Sequence, residues 1–315
     1  MIYDISHRTD IPAFFWEWFM NRYRIGSLGV RNPKFPHKCS ICSLMPGDYD
    51  GMRFQSYDYS RALGGLKSIL DDDVPIECKV RMDPHDNRYS PFYPDVVTAC
   101  EGVKLLSSVV GPERVSVSFG PIIQDTFKER SMGGYMNKLV TIARACEGRA
   151  YQVIINGCDI DETVHKRLLG VRPLFGYEAK ELARGVKELA KQVSIPIVTD
   201  DPVIASAGVK LGLDFDIARF ADANGRVTSK SGMVQMQDIG AYDTDLWDDR
   251  LSSHNKGLKL RSRDGRYEFA RDFDLDSMFC GSDLGADDVL KPSKAKRYKL
   301  EPKESVVDDV EGDAF

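Results

Sequence analysis

The distribution of apolar residues predicts alternating strands and helices along the first two thirds of the chain. Short apolar runs, such as 51–56 (GMRFQS) and 151–156 (YQVIIN), have the length of strands and are bounded by turn residues. Longer segments with apolar residues at helical spacing lie between them, most clearly 177–193. Strand and helix alternate about six times, which predicts a parallel sheet with right-handed crossovers.

The predicted fold class is α/β, with either a TIM-barrel-like fold or a partial (β/α)6 parallel barrel, and a doubly wound open sheet as the alternative. After Asp214 the pattern decays into polar, turn-rich sequence. We therefore predict a barrel-like domain at 1–220, an irregular C-terminal extension at 221–305 that packs on it, and an acidic tail at 306–315.

The opening of the chain joins a first strand, 2–5, to a first helix. Asp10 is a predicted N-cap, and Pro12 stands in the first helical turn, where its missing N–H costs nothing. The aromatic residues that follow recur at helical spacing, so we expect Trp18 to be buried and Trp16 to be partly exposed.

This opening, HRTDIPAF at 7–14 with VRNP at 30–33, and the later segment QDIGAYDT at 237–244 resemble a bacterial family of unknown function. That family is itself similar to radical S-adenosylmethionine enzymes, with barrel folds and three cysteines spaced Cx3Cx2C after the second segment. Here the following residues, 245–251 (DLWDDRL), contain no cysteine. The resemblance therefore implies a divergent member with a degenerate iron–sulfur site, and we expect no cluster and no other cofactor. It also implies a closing segment at 276–290 that packs back on the domain, where we expect Phe273, Phe279 and Leu284 to dock.

Polar residues follow the predicted strands at the edge where parallel α/β folds bind ligands. They are divided between catalytic candidates with titrating side chains and ligand-binding candidates, several of which lie in the family-like segments. The catalytic candidates are His7, His85 and Asp200, and the ligand-binding candidates are Arg8, Asp10, Arg31, Asn32, Arg81, Asn156 and Asp238. The alternative for each is structural: polar residues end strands because loops are solvated, and Arg8 and Asp10 form a surface ion pair.

Composition narrows the classes of partner. The net charge is −5, so tight sequence-independent binding of nucleic acid is disfavoured, although a local basic groove for nucleic acid stays open. The seven cysteines are mostly scattered, and no apolar run reaches membrane-spanning length. Without a visible secretory signal, we expect a cytoplasmic protein with reduced thiols, no membrane partner, and a small-molecule or nucleotide-like ligand; a protein partner stays open.

Cys39 and Cys42 have the spacing of a metal knuckle, with His37 upstream. A tetrahedral site needs two further ligands, and the chain has no second CxxC and no HxxxH. An alternating strand explains the pair without a metal, so we predict none.

Two functions fit these residues. In the first, the chain is an enzyme without a cluster that uses the polar strand ends for acid–base chemistry, such as nucleotide modification; it needs a titrating group with a shifted pKa. In the second, it is a catalytically silent subunit that binds a ligand or a partner through the same residues.

Overall fold

A seven-stranded sheet, in which every neighbouring pair is parallel, lies at the centre of the computed structural model. The structure describes residues 2–6, 10–31, 39–85, 94–125, 131–158, 170–213, 217–220, 236–238, 260–261 and 267–268. Across the sheet the strands are β10 (Ile197–Thr199), β8 (Gln152–Ile155), β6 (Val115–Phe119), β5 (Ile76–Met82), β4 (Gly51–Ser56), β1 (Ile2–Asp4) and β11 (Met236–Asp238).

Helices connect these strands and pack on one face of the sheet. They are α1 (Ile11–Phe14), α2 (Trp16–Ile25), α3 (Leu63–Asp71), α4 (Val96–Val110), α5 (Met132–Cys146), α6 (Gly176–Leu189) and α7 (Pro202–Ser206). From α3 to α7 each helix contacts the next one in the chain. The predicted α/β class with a parallel sheet is therefore confirmed. From β1 to β10 the order across the sheet follows the chain, and β11 lies beside β1 at the other edge. Closure into a barrel and the open-sheet alternative stay predictions.

Three antiparallel pairs lie outside the central sheet. They are β2 (Ser27–Arg31) with β3 (Cys39–Ser43), β7 (Gln124–Asp125) with β9 (Val171–Arg172), and β12 (Leu260–Arg261) with β13 (Tyr267–Glu268). Short 3-10 helices occupy Pro112–Arg114 and Ile217–Phe220. In the β2–β3 pair, Ser27 is opposite Ser43 and Arg31 is opposite Cys39.

The first helix differs from the prediction because it is broken at Phe15. Asp10 caps α1 by accepting from the Ala13 backbone N–H, and Pro12 lies in the first turn, as predicted. Phe15 has φ −127° and ψ 24°, so the helix restarts at Trp16 in a new rotational phase. As a result Trp16 is 6% exposed and packs on Phe19 and Phe54, whereas Trp18 is only partly buried. The predicted exposures of the two tryptophans were wrong.

The predicted C-terminal extension is described only in short pieces. β11 belongs to the segment 221–305, and it extends the central sheet by pairing with β1. Phe273, Phe279 and Leu284, which were expected to dock on the domain, and the acidic tail lie outside the described residues. The domain boundaries at 220 and 305 therefore stay predictions. None of the helices described is both long and apolar enough to cross a membrane.

Candidate functional site

The two faces of the sheet differ in polarity because side chains alternate along each strand. The helix-bearing face is apolar; Phe54, Val80 and Val117 are among the residues that form the core there. The opposite face carries polar and charged side chains that are nevertheless buried. These are Asp4, Arg53, Glu77, Lys79, Arg81, Ser116 and Ser118. A buried charge is costly unless it is paired, so this face is the strongest indication of a site.

Asp4 and Arg53 form a buried ion pair at the β1–β4 junction. Oδ2 of Asp4 lies 3.6 Å from Nη1 of Arg53, and the two residues are register partners. The Gln55 side-chain amide also donates to both carboxylate oxygens of Asp4, at 3.2 and 3.0 Å. These contacts fix the Asp4 carboxylate in the middle of the sheet.

Glu77 occupies the end of the charged face that is nearer the start of the strands. Its Oε1 accepts from the hydroxyl groups of Tyr151, at 2.6 Å, and Ser116, at 3.2 Å. Burial, followed by the nearby Glu77 carboxylate, raises the pKa of Tyr151. The Arg219 guanidinium stacks 3.1 Å from the Tyr151 ring centroid and donates to the Glu113 carbonyl. Glu77, Tyr151 and Arg219 therefore lie at the end of the sheet opposite to the candidate site.

Asp10 and Arg81 both lie at the carboxyl ends of the group of strands β1, β4 and β5. Asp10 is completely buried, and besides capping α1 it accepts from the Tyr57 backbone N–H at 3.1 Å. The Arg81 guanidinium lies 5.0 Å from the centroid of the Tyr57 ring. Burial raises the pKa of Asp10 to about 7, although hydrogen bonds from Ser56, Tyr57 and Ala13 and the charge of Arg81 oppose the shift.

A second polar group lies at the carboxyl ends of β6, β8 and β10. The Ser118 hydroxyl donates to Oδ1 of Asn156, and the Asn156 amide donates to Oδ2 of Asp200 at 2.6 Å. Asp201, the next residue, caps α7 by accepting from the backbone N–H groups of Val203 and Ile204. Ser118 is the register partner of Arg81, so this group adjoins Arg81 in the sheet.

His85 is brought to the same end of the sheet, but it is buried among backbone partners. Its Nε2 lies 2.8 Å from the Pro121 carbonyl, and its ring packs edge-on against Tyr135. Its backbone N–H donates to Oδ1 of Asp83. A carbonyl accepts only from a protonated nitrogen, so Nε2 carries the hydrogen. His85 therefore joins the loops after β5 and β6.

The remaining candidates are described partly or not at all. His7, Arg8 and Asn32 lie outside the described residues. Arg31 ends β2, and Asp238 ends β11, where it is the register partner of Asp4. Their assignments as site residues stay predictions.

Several central residues were missed by sequence reasoning, namely Asp4, Arg53, Glu77, Lys79 and Tyr57. A signal for most of them is present in the strands themselves. In β5 the sequence Glu-Cys-Lys-Val-Arg alternates charged and apolar residues, which is the pattern of a strand with one polar face. Such a face is normally solvated, so the alternation alone does not reveal that these charges are buried.

Cys39 and Cys42 both lie on β3, and Cys42 is buried in the core. Within the described ranges, no group of three His, Cys, Asp or Glu side chains is arranged to hold a metal ion. That Cys39 and Cys42 bind no metal stays a prediction from the sequence.

Comparison with protein families identifies the chain. A model of the family described as "Domain of unknown function (DUF1848)" matches residues 2–246. The chain belongs to the DUF1848 family. The match spans the central sheet from β1 to β11 and both segments on which the sequence resemblance rests. None of the curated proteins compared with the chain matches it. The family description names no activity, and the expected relationship to radical S-adenosylmethionine enzymes stays a prediction.

Proposed function

We propose that this DUF1848 protein is an α/β-barrel enzyme that binds a small anionic, nucleotide-like molecule at the carboxyl ends of its parallel strands. Asp10 exchanges a proton in this site, and Arg81 provides the positive charge. The observation that carries the proposal is the placement of Asp10, whose carboxyl group is completely buried at the same strand ends as Arg81; burial raises its pKa to about 7. A carboxyl group that titrates near neutral pH is suited to general acid–base catalysis.

The order of the strands supports a barrel. Neighbours in the sheet are neighbours in the chain, and the last strand of the sheet, β11, pairs with the first, β1. At the opposite edge, Leu211 forms a parallel bridge with Thr199 and adds an eighth position beyond β10. Helices that contact one another in chain order on a single face are expected for a barrel as well.

Arg81 is suited to bind an anion because its guanidinium is a planar fork of donors. It lies at the end of β5, and in α/β folds ligands bind at that end of the strands. The Asn156–Asp200 pair lies at the same end and offers an amide and a carboxylate to polar groups of the ligand. A cation, a proton-exchanging carboxyl and a fixed amide are sufficient to orient a phosphate- or carboxylate-bearing substrate.

The proposed reaction does not involve an iron–sulfur cluster. A radical S-adenosylmethionine cluster needs three closely spaced cysteine thiolates, and the chain has no cysteine between Cys158 and Cys280. The residues present therefore do not fit the cluster that the resemblance implies, and no catalytic step is assigned to one.

Titration calorimetry with adenosine monophosphate tests the role of Arg81. Arg81→Lys retains the charge but removes the fork, so we expect affinity to fall at least about tenfold, or ~1.4 kcal/mol, with an unchanged melting temperature. Arg184→Lys, on the exposed surface of α6, is the matched control and should bind like wild type. Equal binding by all three proteins contradicts the proposal. The same measurement on Arg8→Lys tests the predicted role of Arg8.

Inorganic sulfate, whose charge is constant near neutral pH, tests the role of Asp10. Neutral Asp10 tolerates a neighbouring anion better than ionised Asp10, so sulfate affinity should fall as the pH rises through about 7. Asp10→Asn should abolish this dependence. A pH dependence that is the same in wild type and variant would remove Asp10 from the site.

A catalytically silent subunit is the second candidate, and exposed apolar residues at one end of the molecule favour it. Ile41 is 83% exposed on β3, and Ile25 and Met45 are also exposed nearby. Met45 adjoins Gly26, the residue that follows Ile25. An apolar surface of this kind is typical of protein–protein contacts. This alternative predicts ligand or partner binding that is insensitive to Asp10→Asn.

A further inference from the structure

A cavity of about 330 Å3 lies on the helix-bearing face of the sheet, between α3 and α4. It adjoins the loop from β4 to α3, near the carboxyl ends of β4 and β5. A volume of this size admits a small organic molecule. The residues that line it are Tyr57, Asp58, Tyr59, Ser60, Leu63, Val80, Pro94, Thr98, Ala99, Glu101, Gly102 and Leu105.

This cavity is separate from the site around Arg81. Val80 and Arg81 are consecutive residues of β5, so their side chains project from opposite faces of the sheet. Val80 lines the cavity, whereas Arg81 belongs to the charged face. Tyr57 adjoins both the cavity and the site around Arg81. It lines the cavity, and the Arg81 guanidinium lies over its ring.

The wall of the cavity is mostly apolar and aromatic. Leu63, Val80, Ala99 and Leu105 contribute aliphatic side chains, and Leu105 is 57% exposed. The Tyr59 hydroxyl donates to the backbone carbonyls of Phe54 and Lys79, which fixes its ring in place. Such a wall favours the apolar part of a ligand, and covering Leu105 would remove apolar surface from water.

The charged groups of the lining all have the same sign. Asp58 and Glu101 are carboxylates, and none of the described residues that line the cavity is Lys, Arg or His. The Asp58 carboxylate is oriented by the Ser60 backbone N–H at 2.8 Å and by the Ser60 hydroxyl at 3.1 Å. Glu101 lies 3.9 Å from Lys104, but both side chains are exposed, so this ion pair is weak.

We propose that this cavity binds a small amphiphilic cation, with an apolar or aromatic body against the Tyr59 and Leu63 wall and a protonated amine near Asp58 and Glu101. The tyrosine rings add a cation–π contribution to the recognition of the amine. This site goes beyond the proposed function, because it takes a ligand of opposite charge on the other face of the sheet.

Gly102 provides a substitution that fills the cavity without disturbing the fold. It lies within α4 at the cavity wall, and a Cβ added there meets nothing within 4 Å. Gly102→Leu should therefore be folded and at least as stable as wild type, because leucine favours a helix more than glycine does. Gly64→Leu is the matched control: Gly64 also faces open space within a helix, α3, but does not line the cavity.

Titration calorimetry with phenylethylamine, hexylamine and phenylpropionate tests the proposal. We expect wild type and Gly64→Leu to bind at least one of the amines, and Gly102→Leu to lose that binding. Phenylpropionate has a similar body and the opposite charge, and it should bind at least tenfold more weakly than phenylethylamine. The double variant Asp58→Asn, Glu101→Gln should lose the preference for the amine.

Three results would overturn the proposal: no binding of either amine at millimolar concentration, binding of phenylpropionate as tight as that of phenylethylamine, or unchanged binding in Gly102→Leu. A nuclear magnetic resonance titration gives an independent measurement, because the Gly102 amide should shift when the amine binds and the Gly64 amide should not. Gly102→Leu should leave the binding of adenosine monophosphate unchanged, so failure here is distinguishable from failure of the site around Arg81.

Discussion

Asp10 combines a structural role and a chemical one in a single side chain. It caps α1 and joins it to the loop after β4 through the Tyr57 backbone N–H. An N-cap at the protein surface keeps an ordinary or lowered pKa, as Asp95 does at α4, where hydrogen bonds led by that from the Thr98 backbone lower it. At Asp10 the loss of solvent outweighs the same kind of hydrogen bonds. Burial, and not the cap, therefore makes this residue a proton-exchanging group.

The raised pKa of Asp10 predicts a distinctive dependence of stability on pH. Between about pH 4 and pH 7 the native state retains a proton that the unfolded chain has lost, so the free energy of unfolding should fall as the pH rises. The difference between 3.8 and about 7 corresponds to roughly 4 kcal/mol at most. Asp10→Asn should remove this slope, as measured by urea denaturation across the range.

Asp95→Asn is the control for that experiment. The pKa of Asp95 is lowered, so its stabilising effect is present above its ordinary value of 3.8 and is lost only at lower pH. Its replacement should leave the slope between pH 4 and pH 7 as in wild type. If Asp10→Asn and wild type show the same slope, the pKa of Asp10 is not raised.

The two tryptophans at the start of α2 give a second prediction at the residue scale. Trp16 is buried against Phe19 and Phe54, so Trp16→Ala should lower the free energy of unfolding by about 3–5 kcal/mol. Trp18→Ala should cost clearly less, because Trp18 is only partly buried. Urea denaturation of both variants measures the difference, and a larger loss for Trp18→Ala would contradict the observed break at Phe15.

At the scale of elements, two adjacent glycines of α3 show how this helix leaves room for the side chain of Trp16. Gly64 and Gly65 are adjacent in this helix, but they face different surroundings. A Cβ at Gly64 meets open space, whereas a Cβ at Gly65 would lie 2.5 Å from Nε1 of Trp16. Gly65 is therefore the residue that allows the Trp16 ring to pack against α3.

This difference predicts opposite effects of the same substitution. Gly64→Ala should raise the free energy of unfolding by up to about 1 kcal/mol, because alanine is the better helix former. Gly65→Ala should lower it, because the packed indole has to shift. Thermal and urea denaturation of the two variants check the signs. A stabilising Gly65→Ala would mean that Trp16 is not packed against this helix.

At the scale of the whole molecule, the parallel sheet separates two chemical environments. Apolar residues on one face pack against the helices, and the other face carries buried charges, of which Asp4 and Arg53 form an ion pair.

The absence of the three cysteines at 245–251 predicts the cofactor state. Protein purified without air should be colourless and contain no stoichiometric iron, as measured by absorbance and metal analysis. A brown protein with an iron–sulfur absorbance band would contradict the cluster-free reaction.

The sequence by itself determined the elements, the parallel connection between them and several caps. Local rules are sufficient for these features: apolar runs of strand length mark the sheet, and an aspartate before a proline-containing turn marks the starts of α1 and α7. It also placed Asp10, Arg81, Asn156 and Asp200 at the ends of strands, where the structure joins Asn156 to Asp200 by a hydrogen bond.

Only the tertiary structure decided which charges are buried and what they contact. Lys79 and Arg53 look like residues of a solvated strand face, because alternation is the same whether that face meets water or other charges. The face of α2 likewise depended on the break at Phe15, and the raised pKa of Asp10 depends on the loss of solvent around it. Burial is a property of the assembled sheet and helices, and residues distant in the chain produce it, so no local pattern encodes it.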